Sequence, residues 1–275
     1  MDERGNAVLD PAAAWGAAAD AWDAFVESGA DYHRTELHGP ALLEACGDVR
    51  GLRALDLGCG QGWFSRQLAG RGAYVVGVDA AAPMLAHARR HEAERPLGIA
   101  YHHLDAAAID GHWPPGSFDL VTACMVLHDL PNPGEVLSAA RRVLTETGRL
   151  AFSIVHPVTS VPPAEWVRDD SGRKGPLRVD RYFDSGPFRL RWAMARLTAH
   201  WDVTNWHWTL TEWSDLIEGA GFRIERLREP RPTATQAAAN PSFEPARRLP
   251  YFLVVELSQR PAATTTEVDG RRRGG

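Results

Sequence analysis

The segment Leu55-Asp-Leu-Gly-Cys-Gly-Gln-Gly62 limits the possible folds of this chain more than any other part of it. Its three glycines lie at alternate positions between an apolar run, residues 53–57, and a helical pattern that begins at Trp63. Glycine allows a tight turn and a close approach of a ligand to the backbone, and the start of a helix offers free N–H groups. Asp79 ends the next apolar run about 20 residues further on, where an acid accepts hydrogen bonds from a ribose. The spacing predicts a nucleoside-binding turn between a strand and a helix.

Short apolar runs alternate with helical patterns through most of the chain. Strands are predicted at residues 53–57, 74–78, 99–104, 118–124, 149–155, 222–227 and 251–257, and helices at 63–70, 83–94 and 132–144. A helix between two successive strands makes them parallel, and such helices cover both faces of the sheet. The predicted fold class is therefore α/β, with a doubly wound, mostly parallel seven-stranded sheet and helices on both faces.

The segments before and after this pattern divide the chain into three predicted regions. Asp10 caps an amphipathic helix that carries Trp15 and Trp22 on one face, and Gly39-Pro40 opens a second helix. Residues 1–48 are therefore predicted to form an N-terminal helical cap, and residues 49–257 the α/β domain. Residues 258–275, which are rich in Thr and Gly and include a run of arginines, are predicted to be a disordered tail.

A tryptophan-rich insertion, residues 157–208, follows the fifth predicted strand. Thr209 begins a capping box that starts the next helix. We expect the insertion to close over the cleft at the strand ends, exclude water and offer aromatic faces to a bound molecule. Trp206 and Trp208 are expected to face that molecule, with plain core packing as the alternative.

Two residues near the glycines distinguish this turn from a dinucleotide site. Dinucleotide enzymes place a small residue three positions after the second glycine, where it lets the helix approach a pyrophosphate. Here that position is Trp63, and Asp56 precedes the glycines. Asp56 would repel a pyrophosphate and instead suits a cationic ligand such as a sulfonium amino acid.

Composition excludes several other classes of protein. Cys46, Cys59 and Cys124 are the three cysteines and lack C-x-x-C spacing, so neither a disulfide framework nor any metal site is predicted. The net charge of −5 gives no general attraction to nucleic acid. No apolar run approaches the roughly 18 residues that would cross a bilayer, and the acidic start does not resemble a signal peptide. We therefore expect a cytoplasmic protein without membrane contact.

The motifs resemble, in their order, those of class I S-adenosylmethionine-dependent methyltransferases, in the branch that contains ubiquinone and menaquinone biosynthesis enzymes. The matching segments are Leu55-Asp-Leu-Gly-Cys-Gly60, Gly77-Val-Asp79, Asp105, Phe118-Asp-Leu-Val121 with Val126-Leu-His128, and Thr147-Gly-Arg-Leu150. The resemblance covers about residues 30–257. It implies a methyl donor, S-adenosylmethionine, that becomes S-adenosylhomocysteine, and a small-molecule acceptor methylated on oxygen or nitrogen.

The same resemblance implies a set of cofactor contacts. It places Gly58, Gly60 and Gly62 along the methionine portion, Asp79 on the ribose, Met84 on the adenine, and Asp105 with Ala106 at the adenine edge. It further implies contacts from Asp56, Cys59, Ala80, Cys124 and Met125. Tyr32 and Arg34 precede the first strand, where relatives often cover the methionine carboxylate, and an ordinary surface position is the alternative for both.

The second half resembles bacterial members of this branch that methylate small molecules. The matching segments are His156-Pro157, Tyr182-Phe183, His207-Trp-Thr-Leu210 and Glu229-Pro-Arg-Pro232. Trp208 stands where those relatives have arginine, which replaces a fixed cation by a broad apolar face. The acceptor class of those relatives therefore does not transfer directly.

Transfer to a hydroxyl requires removal of a proton, and three histidines are predicted at strand ends. His156, His128 and His207, in that order, are the candidate bases because histidine titrates near neutrality, and a structural role is the alternative for each. Two other functions stay open. One is an RNA methyltransferase, and the other is a protein that binds the cofactor without methyl transfer, as a cyclase or regulator. The acceptor and the oligomeric state are also left open.

Overall fold

A computed structural model of the chain describes residues 7–162, 164–192 and 199–261. Its centre is a seven-stranded sheet with the strand order β10-β11-β5-β4-β1-β2-β3. The first five strands pair in parallel, and β11 pairs antiparallel with both β5 and β10. The predicted fold class, a mostly parallel seven-stranded sheet, is confirmed.

The described elements follow the predicted order, with small shifts at their ends. The strands of the sheet are β1 (Arg53–Leu57), β2 (Tyr74–Asp79), β3 (Ala100–His103), β4 (Phe118–Cys124), β5 (Leu144–Val155), β10 (Phe222–Arg228) and β11 (Phe252–Gln259). The α-helices are α1 (Pro11–Glu27), α2 (Gly39–Cys46), α3 (Trp63–Ala69), α4 (Ala82–Glu94), α5 (Pro133–Val143), α6 (Leu210–Gly219), α7 (Ala234–Ala239) and α8 (Glu244–Arg248). A π-helical segment, Arg34–His38, joins α1 to α2, and short 3-10 turns include Ala106–Gly111 and Leu127–Asp129.

The central strands of the sheet are buried on both sides because helices cover both of its faces. All residues of β4 except Asp119 are buried, as expected of a strand within a parallel sheet. One core cluster includes Leu137 of α5 and Trp213 of α6, and the other includes Leu42 of α2 and Leu85 of α4. Because β1 pairs in parallel with β2 and β4, the carboxyl ends of these strands lie at one edge, where the site lies.

Two predicted helix starts are confirmed by their caps. The Oδ1 atom of Asp10 accepts a hydrogen bond from the N–H of Ala13 at 2.8 Å. Thr209 and Glu212 form a reciprocal capping box at the start of α6. These bonds satisfy N–H groups that the first turn of a helix leaves without partners.

The insertion contains regular structure that its composition did not predict. It forms two antiparallel hairpins, one from β6 (Glu165–Arg168) and β7 (Lys174–Arg178), the other from β8 (Gly186–Trp192) and β9 (Trp201–His207). Strand β9 packs against α1, which joins the insertion to the N-terminal helices.

The C-terminal part of the sheet extends beyond its predicted end. Strand β11 continues to Gln259, so residues 258 and 259 pair in the sheet and are not part of a disordered tail. Residues 262–275, which include the run of arginines, lie outside the described residues. Within the described chain, no helix is long and apolar enough to span a bilayer.

Candidate functional site

The glycine loop, residues 58–62, turns the chain from β1 into α3. Gly58 and Gly62 take positive φ angles of 57° and 85°, which side chains other than glycine rarely adopt. A Cβ atom on Gly58 would lie 2.6 Å from a methyl carbon of Val126. The N–H of Cys59 donates to the carbonyl oxygen of Val78 at 2.9 Å. The loop is therefore held against the end of β2 by its own backbone.

Asp79, the last residue of β2, fixes the loop from the side. Its Oδ2 accepts from the N–H of Gly60 at 2.8 Å, and its Oδ1 accepts from the N–H of Ala81 at 2.7 Å. Burial raises the pKa of Asp79, and these two bonds act in the opposite direction. Each carboxylate oxygen has a further lone pair, so Asp79 can still accept hydrogen bonds from a ligand.

A cavity of about 360 Å³ lies beside the glycine loop at the carboxyl ends of β1, β2 and β4. Its volume is within the roughly 300–1,000 Å³ that is usual for small-molecule sites. The predicted cofactor contacts that line it are Arg34, Asp56, Gly58, Cys59, Gly60, Asp79, Ala80, Met84, Asp105, Ala106, Cys124 and Met125. The fold therefore brings together most of the residues that were predicted to share one ligand.

Asp56 and Arg34 supply opposite charges to the cavity wall. The carboxylate of Asp56 is fully buried and accepts from the hydroxyls of Ser65 at 2.6 Å and Thr122 at 2.9 Å. Burial raises the pKa of Asp56 to about 6. The guanidinium of Arg34 lies 5.1 Å from the ring centre of Trp22 and 5.6 Å from that of Trp63.

Helix α1 covers the cavity, and we call its cavity-lining face the α1 roof, formed by Trp15, Trp22 and Val26. The rings of Trp15 and Trp22 meet edge to face at 5.4 Å. Behind them Trp192 and Trp201 of the β8–β9 hairpin stack at 6.0 Å, and Trp192 lies 5.3 Å from Trp22. The helical spacing of Trp15 and Trp22 was visible in the sequence, but nothing in it showed which surface they cover.

Ion pairs fasten the α1 roof to the domain. Asp23 pairs with Arg90 at 2.6 Å and with His91 at 2.7 Å, and Glu27 pairs with Arg66 at 2.8 Å. Asp23, Glu27 and His91 lie close enough to hold a metal ion. Both acids already pair with arginine, so this cluster is assigned to fastening α1 and not to metal binding.

Asp129 is a wall residue that sequence analysis missed. Only 5% of it is exposed, and it lines the cavity at the 3-10 turn after β4. Its carboxyl accepts from the indole N–H of Trp15 at 2.9 Å and from the side-chain amide of Asn205 on β9. Burial raises the pKa of Asp129 to about 8. This one buried acid therefore links the α1 roof, the insertion and the sheet.

Two predicted cofactor contacts lie apart from the cavity. The ring of Tyr32 packs edge to face on Phe243 at 5.0 Å, in an apolar cluster in front of α8. Gly62 faces Tyr101 and Ala88, where a Cβ atom would collide with the tyrosine hydroxyl. Gly62 is therefore needed for packing α3 and α4 on the sheet. Of Tyr32 and Arg34, the two predicted contacts before β1, only Arg34 reaches the cavity.

The three candidate bases also lie outside the cavity lining. His156 and His207 have other partners, and the Nε2 atom of His128 lies 3.4 Å from the cavity-wall residue Asp129. The Nε2 atom of His156 lies 3.0 Å from Glu229, and its Nδ1 accepts from the N–H of Val158. The Nε2 atom of His207 lies 2.8 Å from the carbonyl oxygen of Tyr182. Burial lowers the pKa of His128 to about 3. The structure therefore gives all three structural surroundings and does not bring them to the cavity.

The tryptophans that were expected at the cleft also lie elsewhere. Trp206 and Trp208 stack on each other at 6.3 Å, and Trp208 packs against the core on the α5 and α6 side of the sheet. Because side chains alternate along a strand, Trp206 points away from the face of β9 that carries Trp201 and Asn205. Among the described residues, no part of the insertion lines the cavity. The insertion instead contacts two residues of the cavity wall, Trp22 through Trp192 and Asp129 through Asn205.

Comparison with known proteins finds a family model and several solved structures that resemble this chain. Residues 55–152 match the family described as a methyltransferase domain. An S-adenosylmethionine-dependent methyltransferase from Mesorhizobium loti, of known structure, is 31% identical with a TM-score of 0.67, and the match covers 80% of this chain and 96% of that one. A putative S-adenosylmethionine-dependent methyltransferase from Listeria monocytogenes is 26% identical with the same TM-score of 0.67, over 80% of this chain and 95% of that one.

Curated proteins match over a shorter stretch. The ubiquinone biosynthesis O-methyltransferase of Sodalis glossinidius is 32% identical over 159 residues, which is 58% of this chain. The match spans 61% of that relative's length. The likeness to this relative is therefore partial, whereas that to the Mesorhizobium loti structure extends over nearly all of that chain.

Asp129 gives stability a pH dependence that can be measured. In the unfolded chain an aspartate ionises near pH 4, whereas folded Asp129 keeps its proton to about pH 8. Between these pH values the folded state therefore binds more protons than the unfolded state. The contribution of Asp129 to the free energy of unfolding thus falls as the pH rises. Asp129→Asn removes this titration. We expect its unfolding free energy, measured by urea denaturation, to rise relative to the unmodified protein from about pH 5 to about pH 8.

Asp119→Asn is the matched control. Arg53 lowers the pKa of Asp119. The contribution of ionised Asp119 to the stability of the fold is therefore complete above about pH 4 and is lost only in more acidic solution. The difference between this variant and the unmodified protein should stay constant over the same range. A constant difference for Asp129→Asn as well would contradict the raised pKa of Asp129.

Proposed function

Since this chain belongs to the S-adenosylmethionine-dependent methyltransferases of the Rossmann-like class, we propose that it transfers a methyl group from S-adenosylmethionine to a small-molecule acceptor. The observation that carries this proposal is the cavity at the carboxyl ends of β1, β2 and β4. Its wall combines the glycine loop, Asp79, Met84 and Asp105, in the chain order that the family resemblance implies. A cytoplasmic location is part of the same proposal.

Each part of the cofactor has a proposed set of partners in the cavity. Gly58 and Gly60 lie beside the methionine portion, and Asp79 accepts hydrogen bonds from the ribose hydroxyls. Met84, which is buried beside Ala81 and the α1 roof, packs on the adenine. Arg34 is held at the wall beside two indole rings. Its Nε pairs with Asp31 at 2.8 Å, and its remaining N–H groups are the proposed donors to the methionine carboxylate.

The chemistry requires alignment and a dry site more than it requires reactive side chains. When bound, S-adenosylmethionine supplies an electrophilic methyl group on a sulfonium, which an acceptor displaces in line. The α1 roof excludes water from this space, since two indole rings lie across it. Asp56 offers a buried carboxylate near the glycine loop, where a positive sulfonium is stabilised by an opposite charge.

The end of β4 is the proposed position of methyl transfer. Cys124 and Met125 line the cavity there, and Met125 has a positive φ of 60°, which is uncommon for a residue with a side chain. Its N–H donates to the carbonyl oxygen of Ser153 on β5 at 3.0 Å. This bond holds the strained residue in place, and the acceptor would approach the methyl group past it.

Methyl transfer is tested by its products. We expect S-adenosylhomocysteine to form when the protein is incubated with S-adenosylmethionine and hydroxylated or amino-substituted small molecules, and mass spectrometry to find the added methyl on one of them. Tight S-adenosylmethionine binding with no product from either class would favour the alternative of a cyclase or regulator. Methylation of RNA and not of small molecules would favour the alternative of an RNA methyltransferase.

The site is predicted to exclude NAD, and its affinity for S-adenosylhomocysteine is predicted to depend on Asp79. Calorimetry should show binding of S-adenosylhomocysteine and none of NAD, because Asp56 and Trp63 lie where a pyrophosphate would have to fit.

Asp79→Asn should weaken S-adenosylhomocysteine binding by about 1.5–3 kcal/mol, the usual worth of hydrogen bonds to a charged group. Glu225→Gln, on exposed β10, is the control and should bind normally. NAD binding more tightly than S-adenosylhomocysteine would refute the assignment.

The α1 roof is predicted to act through the β8–β9 hairpin. Trp201→Ala removes an indole ring that lies 6.3 Å from both Trp15 and Trp22, so the roof should loosen and S-adenosylhomocysteine affinity should fall by about 0.5–1.5 kcal/mol. Trp206→Ala, on the opposite face of the same strand, should leave that affinity unchanged. Equal losses in both variants, measured by calorimetry, would mean that the hairpin acts only through general stability.

A further inference from the structure

Lys174, the single lysine of the chain, has unusual surroundings on the β6–β7 hairpin. Its ammonium group lies 5.1 Å from the ring centre of Trp166 and 5.6 Å from that of Tyr251. It also lies 3.4 Å from the hydroxyl of Tyr251. Burial and the charge of Arg168 lower the pKa of Lys174. A lysine ammonium is normally well hydrated, so this half-buried position disfavours its charge unless an anion is near.

A second cation lies at the same place. The guanidinium of Arg248 lies 5.7 Å from the ring centre of Trp166, and it donates to the carbonyl oxygen of Lys174 at 2.8 Å. In residues 7–162, 164–192 and 199–261, neither Lys174 nor Arg248 makes an ion pair with a carboxylate. Two cations on one indole ring therefore lack a paired acid, and the carboxylate of Asp31, whose charge acts on His33, is paired with Arg34.

His33 and Tyr251 add two further polar groups. The Nε2 atom of His33 is buried and has no hydrogen-bond partner among the described residues. Burial lowers the pKa of His33 to about 4, so its ring is neutral at pH 7. Its ring lies 5.6 Å from that of Tyr251. Ammonium, guanidinium, phenol and imidazole N–H groups are all donors, and such a set suits a carboxylate or phosphate group.

This group of side chains, the basic cluster of His33, Trp166, Lys174, Arg248 and Tyr251, adjoins the proposed position of methyl transfer. Tyr251 precedes β11, and its carbonyl oxygen accepts from the N–H of His156 at the end of β5. Tyr251 and Met125 pack against the same apolar cluster, and Met125 also lines the cavity. None of the five residues lines the cavity itself, and the basic cluster is linked to the cavity wall at Met125 through the packing of Tyr251 on this shared apolar cluster.

We propose that the basic cluster binds an anionic group, carboxylate or phosphate, of the acceptor. The acceptor class is thus an anionic small molecule with a planar part that stacks against Trp166 or Tyr251, and its hydroxyl or amine reaches the methyl group past Met125. This inference rests on the proposed function, because the bound molecule is an acceptor only if the protein transfers a methyl group. The binding of the anion itself does not presuppose it.

The test measures binding of simple anions to the full chain. Benzoate and phenyl phosphate are titrated by calorimetry into protein saturated with S-adenosylhomocysteine, and neutral benzamide is the comparison. At least one anion should bind, and benzamide should bind at least tenfold more weakly, since a charged hydrogen bond is worth about a factor of ten or more. Whichever of benzoate and phenyl phosphate binds more tightly identifies the anionic group.

Variants assign that binding to the basic cluster. Lys174→Gln should weaken the anion about tenfold and leave S-adenosylhomocysteine affinity unchanged, and Lys174→Arg should restore most of the binding. Arg178→Gln is the matched control, because it removes a positive charge from an exposed position of the same strand β7. If Lys174→Gln lowers the melting temperature, Arg248→Gln gives the same test at an exposed residue.

The outcomes separate this inference from the proposed function. Equal binding of benzamide and the anions would show that the cluster does not recognise charge, and would overturn the inference. Equal weakening by Arg178→Gln and Lys174→Gln would show that the anions respond only to the general positive charge of the hairpin, and would also overturn it. If S-adenosylhomocysteine binds and no anion does, the inference fails and the proposed function stands. If an anion binds at Lys174 and S-adenosylhomocysteine does not bind, the anion site stands and the proposed function fails.

Discussion

The hydrogen bonds of one carboxylate hold the site in its shape. Asp79 accepts from the N–H of Gly60 after β1 and from the N–H of Ala81 before α4, so it fixes both turns at once. Burial of this acid is unfavourable and raises its pKa, and the two bonds offset part of that cost. The cavity lies between these turns, and α1 is fastened over it through Asp23 and Glu27. A change at Asp79 would therefore alter the loop, the cavity and the surface to which α1 is fastened.

Local sequence predicts this part of the molecule because the causes are local. Gly58 must take a positive φ close to Val126, and apolar runs between helical patterns can form little other than a parallel sheet. Strand ends then bring Asp79 and Asp105 to one edge. Strand β5 begins at Leu144, five residues before its predicted start at residue 149. It begins earlier because Leu144 already pairs with Phe118 of β4.

Residues whose role depends on distant partners could not be predicted in the same way. His156 is paired with Glu229, and Asp129 is bonded by Trp15 and Asn205, which lie far from it in the sequence. A histidine after a strand looks the same in sequence whether it meets a substrate or a carboxylate of its own chain. The tryptophans of the insertion were predicted as a group, but which of them faces α1 follows from the register of the β8–β9 hairpin, which no local pattern specified.

The proposed methyl transfer assigns the cofactor and the acceptor to different elements. The glycine loop, Asp79 and the α1 roof surround the proposed cofactor space, and the β6–β7 hairpin contributes Trp166 and Lys174 to the basic cluster. A crystal structure of the protein with S-adenosylhomocysteine bound tests this account most directly. It should show the ribose hydroxyls on the carboxylate of Asp79, the adenine against Met84, the α1 roof across the ligand and the sulfur facing Met125. A ligand that leaves Asp79 without a contact, or a sulfur that faces away from Met125, would contradict the account.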